Sequence, residues 1–201
     1  EGTLRIDAER SLWIDRDLLD IKRPRVMAAG FRQGESTIDL ARASPTAERL
    51  ELKDAPEGFR ADETKLDDIG RALEWMTLDD VAPAADLAGA TELGTATWKL
   101  YDGTQIVARV VEKESARWTA FEVTWSAPEA PPPEGEAQRT PEAAKTEAEA
   151  TARRLSGWYY KLPDWKLATF LASLESLRAT EAPPAAPPAA PAAPTPPGST
   201  N

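Results

Sequence analysis

Aspartate and glutamate residues form the clearest clusters of potentially reactive side chains in this sequence. Groups of this kind can hold Ca²⁺ or Mg²⁺, or act as the paired carboxylates of a glycosidase. None has the D-x-D-x-D-G spacing of a calcium loop, and one falls at a predicted helix start, where the helix dipole favours acids. We therefore predict capping and solvated roles, and no metal site, for Asp15/Asp17/Asp20, Asp62/Glu63/Asp67/Asp68 and Asp79/Asp80.

The chain contains no cysteine and no histidine. Thiol nucleophiles, thiolate metal sites and the commonest general base are therefore excluded. A serine–lysine nucleophile needs no histidine, but the sequence has neither an S-x-x-K nor a G-x-S-x-G motif. Its glycines are scattered and form no phosphate-binding loop. We expect no enzymatic activity and no cofactor, and we keep a hydrolase only as a third hypothesis.

Aromatic residues concentrate in one short segment, 158–165. Tryptophan and tyrosine faces bind sugars and apolar ligands, so Trp158, Tyr160 and Trp165 are candidate ligand- or partner-binding residues. The alternative is structural. In a strand, Trp158 and Tyr160 would share one side while Tyr159 and Lys161 share the other, and alternate residues would be buried.

The net charge of the chain argues against two classes of binding partner. The 201 residues carry a formal net charge of −10, so phosphate backbones and anionic membrane surfaces are unattractive partners. No apolar run approaches the length of about 20 residues that spans a bilayer, and no signal peptide is visible.

Most of the 18 prolines follow residue 127 and divide the chain. We expect five segments. A first α+β unit together with a hairpin and a third strand occupies 1–125, and a Pro/Glu-rich linker follows at 126–139. A solvated helix is predicted at 140–155, starting from an N-cap at Thr140, because no large apolar residue precedes Leu155. An aromatic strand and a core helix fill 156–178, and a disordered Pro/Ala tail fills 179–201.

Alternating residues predict the strands. Strands are expected at 26–31 and 36–42, and again on either side of the Asp-Gly pair within 95–111, where we predict a type I′ turn. A further strand is expected at 116–125, with Phe121 on its core side. Near the start of the chain, Asp15 is predicted to cap a short helix, and residues 79–94 are predicted to form a loop with one helical turn.

Two segments have the apolar spacing of a helix face, 62–76 and 163–178. They align at an offset of 101 residues and suggest an internal pseudo-repeat. Trp75 lies off the apolar line, so we expect it to pack on a neighbouring element. The predicted fold class is α+β, with antiparallel strands packed on two amphipathic helices. The matched pairs are Leu66/Leu167, Ile69/Phe170, Leu73/Leu174 and Met76/Leu177.

Three motifs resemble a known family, the domain-of-unknown-function family 4340. The segment GWYYKLPDWK at 157–166 is similar to the G-W-x-Y-K-L-P-x-Y/W-K segment that leads into that family's last helix. LWIDRDLLDI at 12–21 and FRADETKLDDIGRAL at 59–73 resemble its recurrent start and closing helix. The resemblance covers about residues 11–178. It does not extend to the 126–155 insertion or the Pro/Ala tail.

The resemblance implies an extracytoplasmic bacterial protein on the periplasmic side of the inner membrane. It also implies tethering by an N-terminal membrane helix that this sequence lacks, and association with ABC-transporter and gliding-motility auxiliary proteins. It supplies no catalytic residues.

Our leading hypothesis is a non-catalytic accessory domain that binds a protein partner in a membrane transport or export complex. The runner-up is a small-ligand or lipid-binding module that uses the aromatic segment. A closed apolar pocket lined by its aromatics would favour a ligand, and a flat exposed patch would favour a partner.

Overall fold

The computed structural model describes residues 16–135 and 138–179, which form an α+β domain with one large antiparallel sheet. The predicted disordered tail, apart from its first residue, lies outside the described residues. The helices are α1 (Glu63–Gly70), α2 (Pro141–Leu155) and α3 (Asp164–Phe170). The strands are β1 (Asp17–Leu19), β2 (Val26–Gln33), β3 (Ser36–Ala41), β4 (Glu51–Leu52), β5 (Met76–Thr77), β6 (Asp80–Pro83), β7 (Thr91–Leu100), β8 (Thr104–Lys113), β9 (Ala116–Trp125) and β10 (Trp158–Lys161).

Eight of the described strands form the sheet, in the order β4-β3-β2-β7-β8-β9-β10-β6, and β1 pairs with β5 apart from it. Burial alternates along the central strands because successive side chains point to opposite faces. The buried face carries the core, where the indole of Trp98 packs against Phe31 and Phe170 at ring distances of 5.8 and 4.9 Å. Phe121 lies on this face, as predicted. None of the described helices has the length and hydropathy needed to cross a membrane.

The β7–β8 hairpin corrects the predicted turn type. A type I′ turn needs positive φ at both central residues, but of Asp102 and Gly103 only the glycine has one, at 88°. The Gly103 N–H donates to the Leu100 carbonyl at 3.2 Å, so the connection is a three-residue turn that ends on a left-handed glycine. An added Cβ at Gly103 would lie 1.9 Å from the Ser126 carbonyl oxygen, so this position accepts only glycine.

The same turn contains a buried ion pair. The Asp102 carboxylate accepts from the Arg25 guanidinium at 2.9 and 3.1 Å, and from the Thr104 N–H at 3.1 Å. Burial alone would lower the pKa of Arg25, but Glu147 and Asp102 outweigh it and raise that pKa. Glu147, on α2, bonds Arg25 at 2.9 Å, so this network ties α2 to the hairpin.

Helix α2 is not the solvated helix that the sequence predicted, because one face of it is buried. Its N-cap is Thr140, as predicted, with the Thr140 hydroxyl accepting from the Ala143 N–H at 3.3 Å. Ala144, Ala148 and Leu155 are buried against the sheet. Alanines allow close helix–sheet packing, and the absence of large apolar residues hid this face from the sequence pattern.

Helices α1 and α3 start where predicted but end early. Asp62 caps α1, its carboxylate accepting from the Thr64 N–H at 2.9 Å, and the predicted spans 62–76 and 163–178 shorten to the first two turns of each. The apolar pattern continues because the following turns still insert Leu73 and Leu177 into the core. Leu174 is only partly buried.

Two shorter predictions are wrong. Residues 17–19 form β1 instead of a helix, because pairing with β5 gives their backbone groups partners. The predicted cap of that helix, Asp15, lies outside the described residues. Residues 80–83 form the edge strand β6 instead of a loop, pairing with β10 along four residues.

Candidate functional site

The three predicted site residues do not converge. Tyr160 is 5 % exposed and packs against Phe121 at a ring distance of 6.1 Å, so its ring belongs to the core. Trp158 and Trp165 are 44 % and 67 % exposed. Trp158 projects from β10 and Trp165 from the first turn of α3.

The two exposed tryptophans border different depressions. Trp158 borders a cleft of about 320 Å³ with Phe121, Leu155 and Tyr159. Trp165 borders a groove of about 220 Å³ between α1 and α3, which we call the α1–α3 groove. Its lining is mainly apolar, with Lys65, Asp68, Thr169 and Ser176 around Ile69, Trp165, Ala168, Ala172 and Leu177.

The sequence did not identify Trp75, the most exposed aromatic side chain within the described ranges. Trp75 is 72 % exposed. The prediction that it packs on a neighbouring element is therefore wrong. Trp75 lies in the turn that follows α1, with a φ of 47°, a conformation that is strained for a bulky residue. Strain of this kind persists where surrounding contacts enforce it, and it is concentrated at functional positions. The only sequence signal was a tryptophan outside the apolar line of its helix.

Several contacts enforce the conformation of Trp75. The backbone N–H of Trp75 donates to the Asp20 carboxylate at 3.2 Å, and the Lys22 ammonium lies 3.5 Å from the centre of the Trp75 ring. The Ile21 N–H donates to the Leu73 carbonyl at 2.9 Å. Burial would raise the pKa of Asp20, but the hydrogen bonds from Lys22 and Trp75 outweigh it and lower that pKa. The indole is therefore exposed and yet held in place.

Lys166 joins this turn to Trp165. Its side chain is buried, and its ammonium donates to the carbonyls of Ala72 and Glu74, both at 2.9 Å. The same ammonium lies 4.9 Å from the Trp165 ring centre. Burial lowers the pKa of Lys166, although the nearby carboxylates of Glu74 and Asp68 oppose this. Lys166 thus links the backbone of the turn that carries Trp75 to the ring of Trp165, and we call these two exposed indoles the tryptophan patch.

Lys65 makes the reciprocal contact. From α1, its ammonium donates to the carbonyls of Ser176 and Arg178, at 2.6 and 3.3 Å, in the turn that follows α3. Lys65 and Lys166 lie 101 positions apart, which is the predicted offset. Each helix therefore holds the turn after the other helix through a lysine at the same helical position.

The acidic clusters have structural partners. Asp67 pairs with Arg23 and Arg71, and Asp79 pairs with Arg16 at 3.5 Å. Within residues 16–135 and 138–179, no three acidic side chains converge in a way that could hold a metal ion.

No family model, curated protein or solved structure matches this chain. The resemblance to family 4340 therefore stays a prediction, and function is argued from the surface alone.

Proposed function

We propose that this domain is a non-catalytic interaction module that binds a protein partner through the tryptophan patch and the α1–α3 groove. The observation that carries the proposal is a pair of tryptophans, Trp75 and Trp165, that are 72 % and 67 % exposed. Lys166 binds the Glu74 carbonyl just before Trp75 and lies 4.9 Å from the ring centre of Trp165. Tryptophan is enriched among the residues that dominate binding energy at protein interfaces. A rigid exposed side chain also loses little conformational entropy when it binds.

The size of the α1–α3 groove favours a protein side chain over a small ligand at this place. The α1–α3 groove is about 220 Å³, which is below the range of about 300–1,000 Å³ typical of small-molecule sites. A groove of this size accepts one apolar side chain of a partner beside Trp165, which lines it. Trp75 offers a second exposed indole in the turn after α1. The runner-up, a ligand module built on all three predicted aromatics, loses Tyr160 to the core.

The partner, in this proposal, belongs to a membrane-associated transport or export system on the extracytoplasmic side. The motif resemblance supports this part, and the aromatic surface is compatible with it.

We also propose that the chain consists of two related units around a pseudo-twofold axis. The first contains β2–β5 with α1, and the second contains β7–β10 with α3. Four observations support this. The helices begin 101 residues apart, at 63 and 164. Lys65 and Lys166 make reciprocal contacts, and β2 pairs antiparallel with β7 at the centre of the sheet. In addition, Ala61, ahead of α1, bridges Arg178, beyond α3.

The test of partner binding is affinity capture from membranes of the source organism, quantified by mass spectrometry. The baits are the wild-type domain, the double variant Trp75→Ala/Trp165→Ala and the matched control Trp158→Ala. Because both patch side chains are largely solvated, the double variant should keep the wild-type melting temperature.

We expect membrane transport or export subunits to be enriched equally by the wild type and the control. The double variant should lose at least about tenfold of that enrichment, since two interface tryptophans contribute about 2 kcal/mol or more each. Loss with Trp158→Ala alone would favour the runner-up. Equal enrichment with all three baits would refute the patch as the binding surface.

A further inference from the structure

The face of the sheet opposite the core is open at its centre. On β2 and β7 this face carries Ala28, Gly30, Thr95 and Thr97, all partly exposed. Among the described helices, those in contact with the sheet bury residues on the core face. The described part of the chain therefore has a two-layer architecture, and the centre of the second sheet face is exposed to solvent.

Small side chains make this surface concave. A basin of about 440 Å³ lies over the centre of β3, β2, β7 and β8. Its floor is lowest at Gly30, which is paired with Thr97 on one side and Asp39 on the other. A Cβ added at Gly30 would lie 2.8 Å from the Asp39 carboxylate, so the absence of a side chain makes room for that carboxylate.

Cations surround the basin. Arg32, Lys53 and Lys99 line it and are exposed, and none of the three pairs with a carboxylate among the described residues. Arg109 also lines it but is paired with Glu92 at 3.5 Å. The acid within the basin is Asp39. In a chain of net charge −10, three unpaired cations around one depression form a local positive site.

The register fixes the spacing of these charges. Arg32 pairs with Thr95, which pairs with Arg109, so the two arginines lie two strands apart, about 10 Å. Lys99 lies four residues beyond Thr95 on β7, about 13 Å along the strand. One small anion cannot reach all of these cations, so the matching ligand is extended and carries several negative charges.

Single-stranded nucleic acid and an anionic membrane are two extended anions that fit the basin poorly. Single-stranded nucleic acid binds through aromatic stacking, and no aromatic side chain rises from the centre of this face. An anionic membrane needs a protruding surface, whereas this one is recessed. An acidic polypeptide fits, because exposed hydroxyls of Thr37, Thr95 and Thr97 can bond its backbone while the cations pair with its side chains.

We propose that the open sheet face is a second binding site, which takes an extended acidic segment of a polypeptide. This site lies on the sheet face away from the helices, whereas the tryptophan patch lies on the helix side. The site is polar and positively charged, and the patch is apolar. The domain then joins two partners, one apolar and one acidic, and so acts as an adaptor.

The test uses fluorescence anisotropy with a labelled peptide of alternating glutamate and serine, and a matched peptide of alternating glutamine and serine. The full chain is compared with the variant Arg32→Glu/Lys53→Glu/Lys99→Glu. The control Arg60→Glu/Arg153→Glu/Lys161→Glu changes the net charge equally at exposed positions elsewhere. Gly30→Val adds bulk to the floor without changing charge, and Trp75→Ala/Trp165→Ala shows whether the two proposals fail separately.

We expect the glutamate peptide to bind the wild type, the control and the tryptophan variant with similar affinity. Binding should weaken at least about tenfold in the basin charge variant, because like charges repel, and should also weaken in Gly30→Val. It should decrease as salt rises, because exposed charges are screened.

Several results would overturn the proposal. One is equal weakening in both charge variants, and another is equal binding of the glutamine peptide. A third is the absence of binding at low salt. Tighter basin-dependent binding of single-stranded RNA, of phosphatidylglycerol vesicles or of free phosphate would assign another occupant. Self-association that the basin charge variant abolishes would assign a second copy of the chain.

Discussion

Asp102 matches the Asp-Gly pattern of a hairpin turn, but the pattern does not encode the role that its side chain has in the structure. Asp-Gly before an alternating run predicted a hairpin, and the hairpin is present. The Asp102 side chain does not set the turn type. Its carboxylate is buried and forms an ion pair with Arg25 at 2.9 Å. These two residues are 77 positions apart in the chain, and local patterns carry no information about a pairing over that distance.

Tyr160 gives a prediction at the scale of one residue. Burial raises the pKa of its phenol, although Arg154 opposes this. Between about pH 10, where an unfolded tyrosine ionises, and the raised folded pKa, the folded chain keeps a proton that the unfolded chain releases. The stability that this phenol contributes is therefore complete below about pH 10 and is lost as pH rises through the folded pKa.

Tyr160→Phe should leave the free energy of unfolding within about 0.5 kcal/mol of wild type at neutral pH, because the ring is kept. Above about pH 10 it should lose less stability than the wild type. The loss will be reduced and not abolished, since burial also raises the pKa of Tyr101. Urea denaturation of both proteins across this pH range measures the difference. Parallel losses would mean that the Tyr160 phenol ionises in the folded protein as it does in the unfolded chain.

At the scale of elements, the sequence predicted the starts of elements better than their ends. Asp62 and Thr140 mark helix starts because a capping side chain bonds an N–H only two or three residues away. The strand at 116–125 was predicted without error, since alternation reports one buried face. Helix ends were missed because apolar spacing reports burial, and Leu73 is buried in a turn that is no longer helical.

The candidate site was less predictable than the fold. The sequence named Trp158, Tyr160 and Trp165 as candidate binding residues, of which Trp158 and Trp165 are exposed and Tyr160 is buried. It could not reveal that Lys166 connects Trp165 to the turn that carries Trp75, because this contact involves carbonyls about 90 residues distant, in a turn that no sequence motif predicts. The buried alanine face of α2 was equally invisible, since alanine is also common on solvated helices.

The two lysines allow a matched prediction about element packing. Lys166→Met keeps most of the buried stem but removes the donor to the carbonyls of Ala72 and Glu74. Leaving such groups unpaired in the interior costs about 1–3 kcal/mol. Lys65→Met removes the equivalent donor at a more exposed place, where water replaces it, so we expect a loss below about 1 kcal/mol.

Chemical denaturation of the two variants tests this difference. A larger loss in Lys65→Met would contradict the role assigned to burial. The Lys166→Met variant should also perturb the tryptophan patch, since the lysine is its common anchor; partner capture should fall with it and should remain with Lys65→Met.

At the scale of the whole molecule, the two proposed units are joined in a way that prevents either from completing its own structure. The segment before α1 pairs with the segment after α3, at Ala61 and Arg178. The Asp62 N–H donates to the Leu177 carbonyl at 2.8 Å, and the Ala179 N–H to the Arg60 carbonyl at 2.9 Å. Trp98 contacts Phe31 of one unit and Phe170 of the other.

This exchange predicts one cooperative unfolding transition, because losing either unit leaves the other with unpaired strand edges and an open core. Leu73→Ala, in the first unit, and Phe170→Ala, in the second, should each cost about 2–5 kcal/mol. Tryptophan fluorescence and far-ultraviolet circular dichroism should report the same denaturant midpoint in each variant. If the units were independent, each substitution would instead split the transition in two, with the unaltered unit unfolding at the wild-type midpoint.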